Sequence, residues 1–187
     1  MASSESWFDS SVVPFRLVFL MWAVFYLEYV LGWPVGEYGI IPRTFQGLIG
    51  IFTAPVIHGD VLHLVSNTIP MLFLGSVLFF IYPKIGGQVF FRAYFWTNIL
   101  VWIFARPAVH IGASGVVYAL AFFLIFFGFF RRDFLSIFIS IIVVILYGGV
   151  FYGVLPNDPR ISFESHLSGA LVGIVSAFTF SSKKKVS

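Results

Sequence analysis

The sequence predicts an all-α membrane protein, and composition is the first reason. Of its 187 residues, 59% are hydrophobic and only 10% are charged, and the mean hydropathy is +0.98. Soluble domains are about 45 to 50% apolar and about 25% charged. Because so few polar groups could not cover a water-facing surface, the composition argues against a soluble globule, a disordered segment and a nucleic-acid reader. We therefore expect the lipid bilayer to be the solvent.

Long apolar segments are the second reason. A helix that crosses a bilayer needs roughly 20 predominantly apolar residues, and charges, glycines and prolines divide the chain into about six such segments. We place them near residues 14–32, 61–82, 88–105, 114–131, 134–155 and 165–181. The third is the weakest because Arg92 must reach the interface or find a partner. No repeat or linker divides the chain, so we predict a single membrane domain over residues 1–187.

The loops predict the orientation, because Lys and Arg are enriched on the cytoplasmic side of a membrane. If both termini are cytoplasmic, most of the basic residues fall inside, namely Arg16, Lys84, Arg92, Arg131, Arg132, Lys183, Lys184 and Lys185. Those left outside are Arg43, Arg106 and Arg160. This distribution favours an N-in, C-in topology. The first external connection, residues 34–60, is too apolar for a solvated loop and too broken for a span, so we expect it to be interfacial and partly embedded.

Strongly polar side chains within apolar segments are costly and indicate candidate functional sites. The second segment begins with His63 and Asn67, the fourth with Ser114 and the sixth with His166. In the predicted topology these three segments run from outside to inside. The four side chains therefore fall at a similar depth, just below the outer surface.

Two of these sites have both a structural and a chemical interpretation. Gly112, Ser114 and Gly115 could simply let two helices approach closely, and His63 and Asn67, four residues apart on one helical face, could be interhelical hydrogen-bond partners. In the chemical interpretation, the free N–H groups at a helix start stabilise an oxyanion beside a serine nucleophile. Asn and His side chains supply further donors.

The sixth segment carries the candidate base. Gly169 and Gly173 are four residues apart and would bring this helix close to a neighbour. If that neighbour is the fourth segment, His166 can reach Ser114 and act as the base for a nucleophile. Tyr118, one turn after the serine, would stack on the imidazole.

No third catalytic group is evident. Glu164 lies two residues before His166, a spacing that points it away on a helix, so we predict a Ser-His dyad. The chain contains no cysteine, which excludes a thiolate nucleophile and a cysteine-based metal site. For His58 and His110, which flank the candidate residues in sequence, we expect structural or loop-positioning roles.

Three motifs carry a resemblance to a known family. HGDVLHLVSN in the second segment, GASGVVY in the fourth and SHLSGALVG in the sixth resemble, in this order, the motifs of the rhomboid family of intramembrane serine proteases. Each motif alone is common, whereas the three together at the outer ends of alternate helices are specific. The similarity extends over about residues 55–175.

The resemblance implies a six-helix bundle with a water-filled cavity that opens to the outside. By position, Ser114 would be the nucleophile and His166 the general base and later acid. His63 and Asn67, with the Ser114 N–H, would form the oxyanion hole, and Tyr118 would pack against His166. The resemblance implies no metal, nucleotide or other cofactor.

The implied substrates are transmembrane proteins, cut near the outer membrane face. The implied surroundings are the lipid bilayer, which we expect to be a bacterial cytoplasmic membrane, and the oligomeric state is left open. The alternative is a non-proteolytic relative that binds membrane-protein clients. It is disfavoured because Ser114 and His166 are both present.

Overall fold

Helices make up most of the protein in a computed structural model that describes residues 7–156, 158 and 161–182. The long helices are α1 (Trp7–Leu31), α3 (Val61–Ile81), α4 (Pro83–Phe104), α5 (Ser114–Arg131), α6 (Phe134–Tyr147) and α8 (Phe163–Ser181). Two short ones are α2 (Gly50–Thr53) and α7 (Val150–Gly153). An isolated antiparallel bridge joins Ile40 to His110. The predicted all-helical class is confirmed.

Among the described residues, four helices are long and apolar enough to cross a membrane, namely Ser11–Leu31 of α1 together with α3, α5 and α8. The other two long helices differ from the predicted spans. α4 begins at Pro83 rather than near residue 88, and α6 ends at Tyr147 rather than near residue 155. Gly148 and Gly149 follow α6, and glycine is a poor helix former, so the chain turns there before the short α7. The count of six spans stays a prediction.

The N-in, C-in orientation also stays a prediction. Part of the charge distribution behind it rests on Arg160 and on Lys183, Lys184 and Lys185, which lie outside the described residues.

Close packing joins α1 to α3. A Cβ atom added to Gly75 of α3 would lie 2.6 Å from the Pro14 side chain of α1, so glycine is needed for this approach. Trp22 Nε1 donates a hydrogen bond of 3.0 Å to Thr68 Oγ1 across the same pair of helices. The Asp60 carboxylate caps the start of α3 by accepting from the His63 N–H at 2.8 Å, which fixes where this helix begins.

Helix α5 lies at the centre of the bundle and packs against α3, α4, α6 and α8. Its contact with α8 is made backbone to backbone through small residues. A Cβ atom on Gly169 would overlap the Gly115 carbonyl, and one on Gly173 would overlap the Ala119 carbonyl. These glycines therefore bring the start of α8 beside the start of α5, as small residues do in membrane helix pairs.

The connection over residues 34–60 is ordered and attached to one face of α4. Tyr94, Asn98 and Trp102 are spaced four apart, so their side chains share that face. Each donates a hydrogen bond to a backbone carbonyl of the connection, those of Phe52, Ile51 and Thr44 respectively. These bonds satisfy backbone groups that an apolar solvent would leave unpaired. The depth of this segment in the bilayer stays a prediction.

Candidate active site

A cavity of about 950 Å³ lies at the N-terminal ends of α3, α5 and α8. Its walls include all five side chains that the sequence singled out for chemistry: His63, Asn67, Ser114, Tyr118 and His166. Because these helices start at the same end of the bundle, residues far apart in sequence meet in one place. The structure thus brings together the residues of the three motifs.

Ser114 and His166 are in direct contact. His166 is buried, and its Nε2 lies 2.9 Å from Ser114 Oγ. Its Nδ1 lies 2.8 Å from the carbonyl oxygen of Gly153. Since a carbonyl oxygen can only accept, the ring proton of a neutral imidazole sits on Nδ1. Nε2 is then free to accept the hydroxyl proton of Ser114.

Tyr118 holds the imidazole from one side. Its ring is stacked on that of His166, with 4.0 Å between centroids and 6° between planes. Gly153 lies behind the same pair, and a Cβ atom there would overlap the Tyr118 hydroxyl. A glycine is therefore required for the carbonyl to reach Nδ1.

Sequence reasoning did not assign Gly153 to the site. Its contribution is a backbone carbonyl, and a carbonyl leaves no trace in the residue type. The glycine in GGVFYG of residues 148–153 was the available signal, because glycine marks positions where other groups approach the backbone closely.

His63 and Asn67 lie on the facing wall, on α3. The His63 ring packs against Gly112, whose φ of +106° favours glycine, and a Cβ atom there would lie 2.6 Å from the imidazole. Asn67 is buried, and its Nδ2 donates one hydrogen bond of 2.8 Å to the His63 carbonyl. An amide nitrogen has two hydrogens, so one remains to donate.

His58 contacts Ala113, the residue that precedes α5. Its Nε2 accepts a hydrogen bond of 3.3 Å from the Ala113 N–H, and its ring lies 4.9 Å from that of His63, centroid to centroid. Burial, together with the nearby His63, lowers the pKa of His58 to about 4. A neutral imidazole is required here, since a protonated Nε2 could not accept from Ala113.

Glu164 does not contact the imidazole of His166. Its Oε1 lies 3.5 Å from Arg106 Nε and also accepts from the Arg106 backbone N–H at 3.4 Å. The carboxylate is therefore engaged just after the C-terminal end of α4. Within the part of the chain that the structure describes, no three His, Asp or Glu side chains converge as metal ligands would.

Comparison with known proteins gives a matching family model and several relatives. A family model described as the Rhomboid domain matches residues 46–183. The uncharacterized protein ML1171 of Mycobacterium leprae is 32% identical, with 96% of this chain covering 74% of that protein. The uncharacterized proteins Rv1337 of Mycobacterium tuberculosis and Mb1372 of Mycobacterium bovis are 30% identical, with 96% of this chain covering 78% of each. The region matched by the family model contains every residue of the three motifs.

Proposed function

The chain belongs to the rhomboid family, and on that premise we propose that it is an intramembrane serine endopeptidase with a dyad of Ser114 and His166. The observation that carries the proposal is the 2.9 Å contact between Ser114 Oγ and His166 Nε2, with the ring proton held on Nδ1 by the Gly153 carbonyl. A serine hydroxyl is a weak nucleophile until an adjacent base takes its proton. This geometry supplies such a base.

The reaction proceeds by acyl transfer. As Ser114 Oγ attacks the scissile carbonyl carbon, His166 Nε2 takes the hydroxyl proton, and the resulting imidazolium then protonates the leaving amine. A water molecule then attacks the acyl-enzyme as the same nitrogen takes its proton, and that proton passes to Ser114 Oγ as the ester bond breaks. The Gly153 carbonyl takes the orienting role that a carboxylate has in a triad, so Glu164 is not required.

The developing oxyanion lies between α3 and α5. Ser114 is the first residue of α5, and the preceding N-cap residue, Ala113, has no hydrogen-bonding side chain. No side chain caps the N–H groups at this end, so they can stabilise the oxyanion. The positive end of the helix dipole adds to this effect. The second amide hydrogen of Asn67 and the His63 imidazole add donors from the opposite wall.

The substrate is a transmembrane protein whose helix unwinds locally near the outer membrane face. A helical carbonyl is hidden in its own hydrogen bond, so Gly, Ser or Pro near the bond, each of which weakens a helix, favours cleavage. The cavity holds the water for hydrolysis. We place the protein in a bacterial cytoplasmic membrane with six spans and both termini inside, which the mycobacterial relatives and the basic residues support.

The test uses purified protein in liposomes with a fluorescent transmembrane substrate and a fluorophosphonate that labels reactive serines. Ser114→Ala is expected to abolish cleavage and labelling, and His166→Ala to reduce both by at least about 1,000-fold. The matched control is Ser66→Ala, because Ser66 lines the same cavity but donates to the His63 carbonyl. Cleavage that persists in folded Ser114→Ala protein contradicts the dyad. A wild-type protein that neither labels nor cleaves supports the client-binding alternative.

A further inference from the structure

A second serine–histidine contact lies in the same cavity. His110 Nδ1 is 2.7 Å from Ser162 Oγ. His110 precedes Ser114 by four residues, and Ser162 precedes His166 by four residues. The two contacts therefore join the same two chain segments, one that leads into α5 and one that leads into α8.

The hydrogen bonds around Ser162 give this second pair a fixed arrangement. His110 Nε2 faces the Arg106 carbonyl at 3.0 Å and must donate to it, so in a neutral imidazole Nδ1 accepts the Ser162 hydroxyl proton. Ser162 is the N-cap of α8, and its Oγ accepts from the Ser165 N–H at 3.2 Å and contacts Ser165 Oγ at 2.8 Å. Its donor and acceptor capacity is thus occupied, unlike that of a nucleophile.

His110 is anchored independently of Ser162. It is buried, and its backbone pairs with Ile40 through two hydrogen bonds of 2.9 Å, one in each direction. On the other side, the Ser162 carbonyl accepts from the His166 N–H at 3.3 Å. A continuous set of bonds therefore runs from the connection after α1, through His110 and Ser162, to the backbone of the proposed general base.

We propose that His110 and Ser162 are a positioning pair that sets the distance between Ser114 Oγ and His166 Nε2. The inference rests on the proposed function, since it concerns how that dyad is held. Proton transfer needs a heavy-atom distance of about 2.6 to 3.2 Å. A second link four residues before each partner fixes the starts of the two helices relative to each other.

The experiment measures the second-order rate constant for labelling of Ser114 by a fluorophosphonate in folded, liposome-embedded protein. His110→Phe keeps a planar ring and loses both side-chain hydrogen bonds, and we expect its rate to fall about 100-fold, as for a misplacement of about 1 Å. His110→Asn places an acceptor oxygen near the position of Nδ1 and is expected to label within a few-fold of wild type. A merely structural residue would lower the melting temperature without changing the labelling rate of the folded fraction.

A double-mutant cycle tests the link itself. Ser162→Ala removes the hydroxyl, and the double variant His110→Phe/Ser162→Ala is expected to label no more slowly than the slower single variant. Independent, multiplying effects would overturn the proposal, as would wild-type labelling by folded His110→Phe. If His110→Phe does not fold, Ser162→Ala against Ser162→Thr gives the same test, because threonine keeps the hydroxyl and must restore the rate.

Ser114→Ala is measured in parallel to keep the two proposals apart. If wild type and Ser114→Ala label equally, the proposed function has failed. If labelling depends on Ser114 but His110→Phe and Ser162→Ala both label at the wild-type rate, only the positioning pair has failed.

Discussion

Helices α6 and α8 both pack against α5, but α8 is the more deeply buried of the two. α8 meets α5 through Gly169 and Gly173, at backbone contact distance. α6 approaches α5 closely at Gly128, where a Cβ atom would overlap the Ser136 carbonyl oxygen. Along the rest of α6 many large side chains face outward, and Ile145 is 75% exposed.

The deeper packing of α8 matches the need to hold the proposed catalytic distance precisely. The proposed base His166 lies on α8, and a small change in its distance from Ser114 would cost much of the reactivity. α6 supplies none of the side chains predicted for the site. Its outward face is apolar, and lipid is as apolar as such side chains. The bundle therefore combines a closely packed α5–α8 pair with a less deeply buried neighbour, α6.

The largest expected effect tests the closely packed α5–α8 pair. Gly173→Ala introduces a Cβ atom that overlaps the Ala119 carbonyl, so we expect a loss of about 3 kcal/mol in the free energy of unfolding. The matched control is Gly87→Ala on α4, where a Cβ atom meets nothing within 4 Å and should gain about 0.5 to 1 kcal/mol. Reversible unfolding in detergent micelles measures both. Equal effects at the two positions would show that α8 does not depend on backbone contact.

The next effect concerns activity. Gly153→Ala places a Cβ atom on the Tyr118 hydroxyl, which displaces either the stacked ring or the carbonyl that holds His166 Nδ1. We expect cleavage to fall about 100-fold, or about 3 kcal/mol in the barrier. Gly153→Ala/Tyr118→Phe, which removes the overlapped oxygen, should recover part of the activity. No recovery would mean that the loss has another origin.

The N-terminal ends of α3 and α8 can be predicted from the sequence, because local signals mark them. Asp60 and Ser162 are side-chain caps, and α3 and α8 begin directly after them. The group that contacts Nδ1 of His166 and the partner of Glu164 were harder to predict. The Gly153 carbonyl has no side-chain signature, and Arg106 is distant from Glu164 in sequence, so only the folded chain pairs them. The end of α6 was placed too late because Gly148 and Gly149 lie within a continuous apolar run.

A third prediction concerns the pH dependence of stability that arises from His58, next to the start of α5. In an unfolded chain His58 takes up a proton near pH 6.5, whereas in the folded protein it does so only near its pKa of about 4. Unfolding is therefore favoured as pH falls between these values, and stability is complete above pH 6.5. We expect the loss between pH 7 and pH 5 to be about 2 kcal/mol.

The control for this prediction is His58→Gln, which cannot titrate and should show a much smaller change in unfolding free energy between the same pH values. Asp60 and His63 face the same imidazole and stay in place in this variant. An unchanged pH dependence in His58→Gln would assign the effect to one of these neighbours instead.

The smallest expected effect tests the exposed face of α6. Ile141 and Ile145 of α6 are 53% and 75% exposed, whereas Val143 on the same helix is 1% exposed. Truncating either isoleucine to alanine exchanges protein–lipid contacts for others of the same kind, so we expect less than about 0.5 kcal/mol in unfolding free energy. Val143→Ala removes fewer atoms but leaves a cavity inside the bundle, and should cost about 1 kcal/mol or more. If the isoleucine variants cost more than Val143→Ala, the outward face of α6 must pack against protein, and its contrast with α8 would disappear.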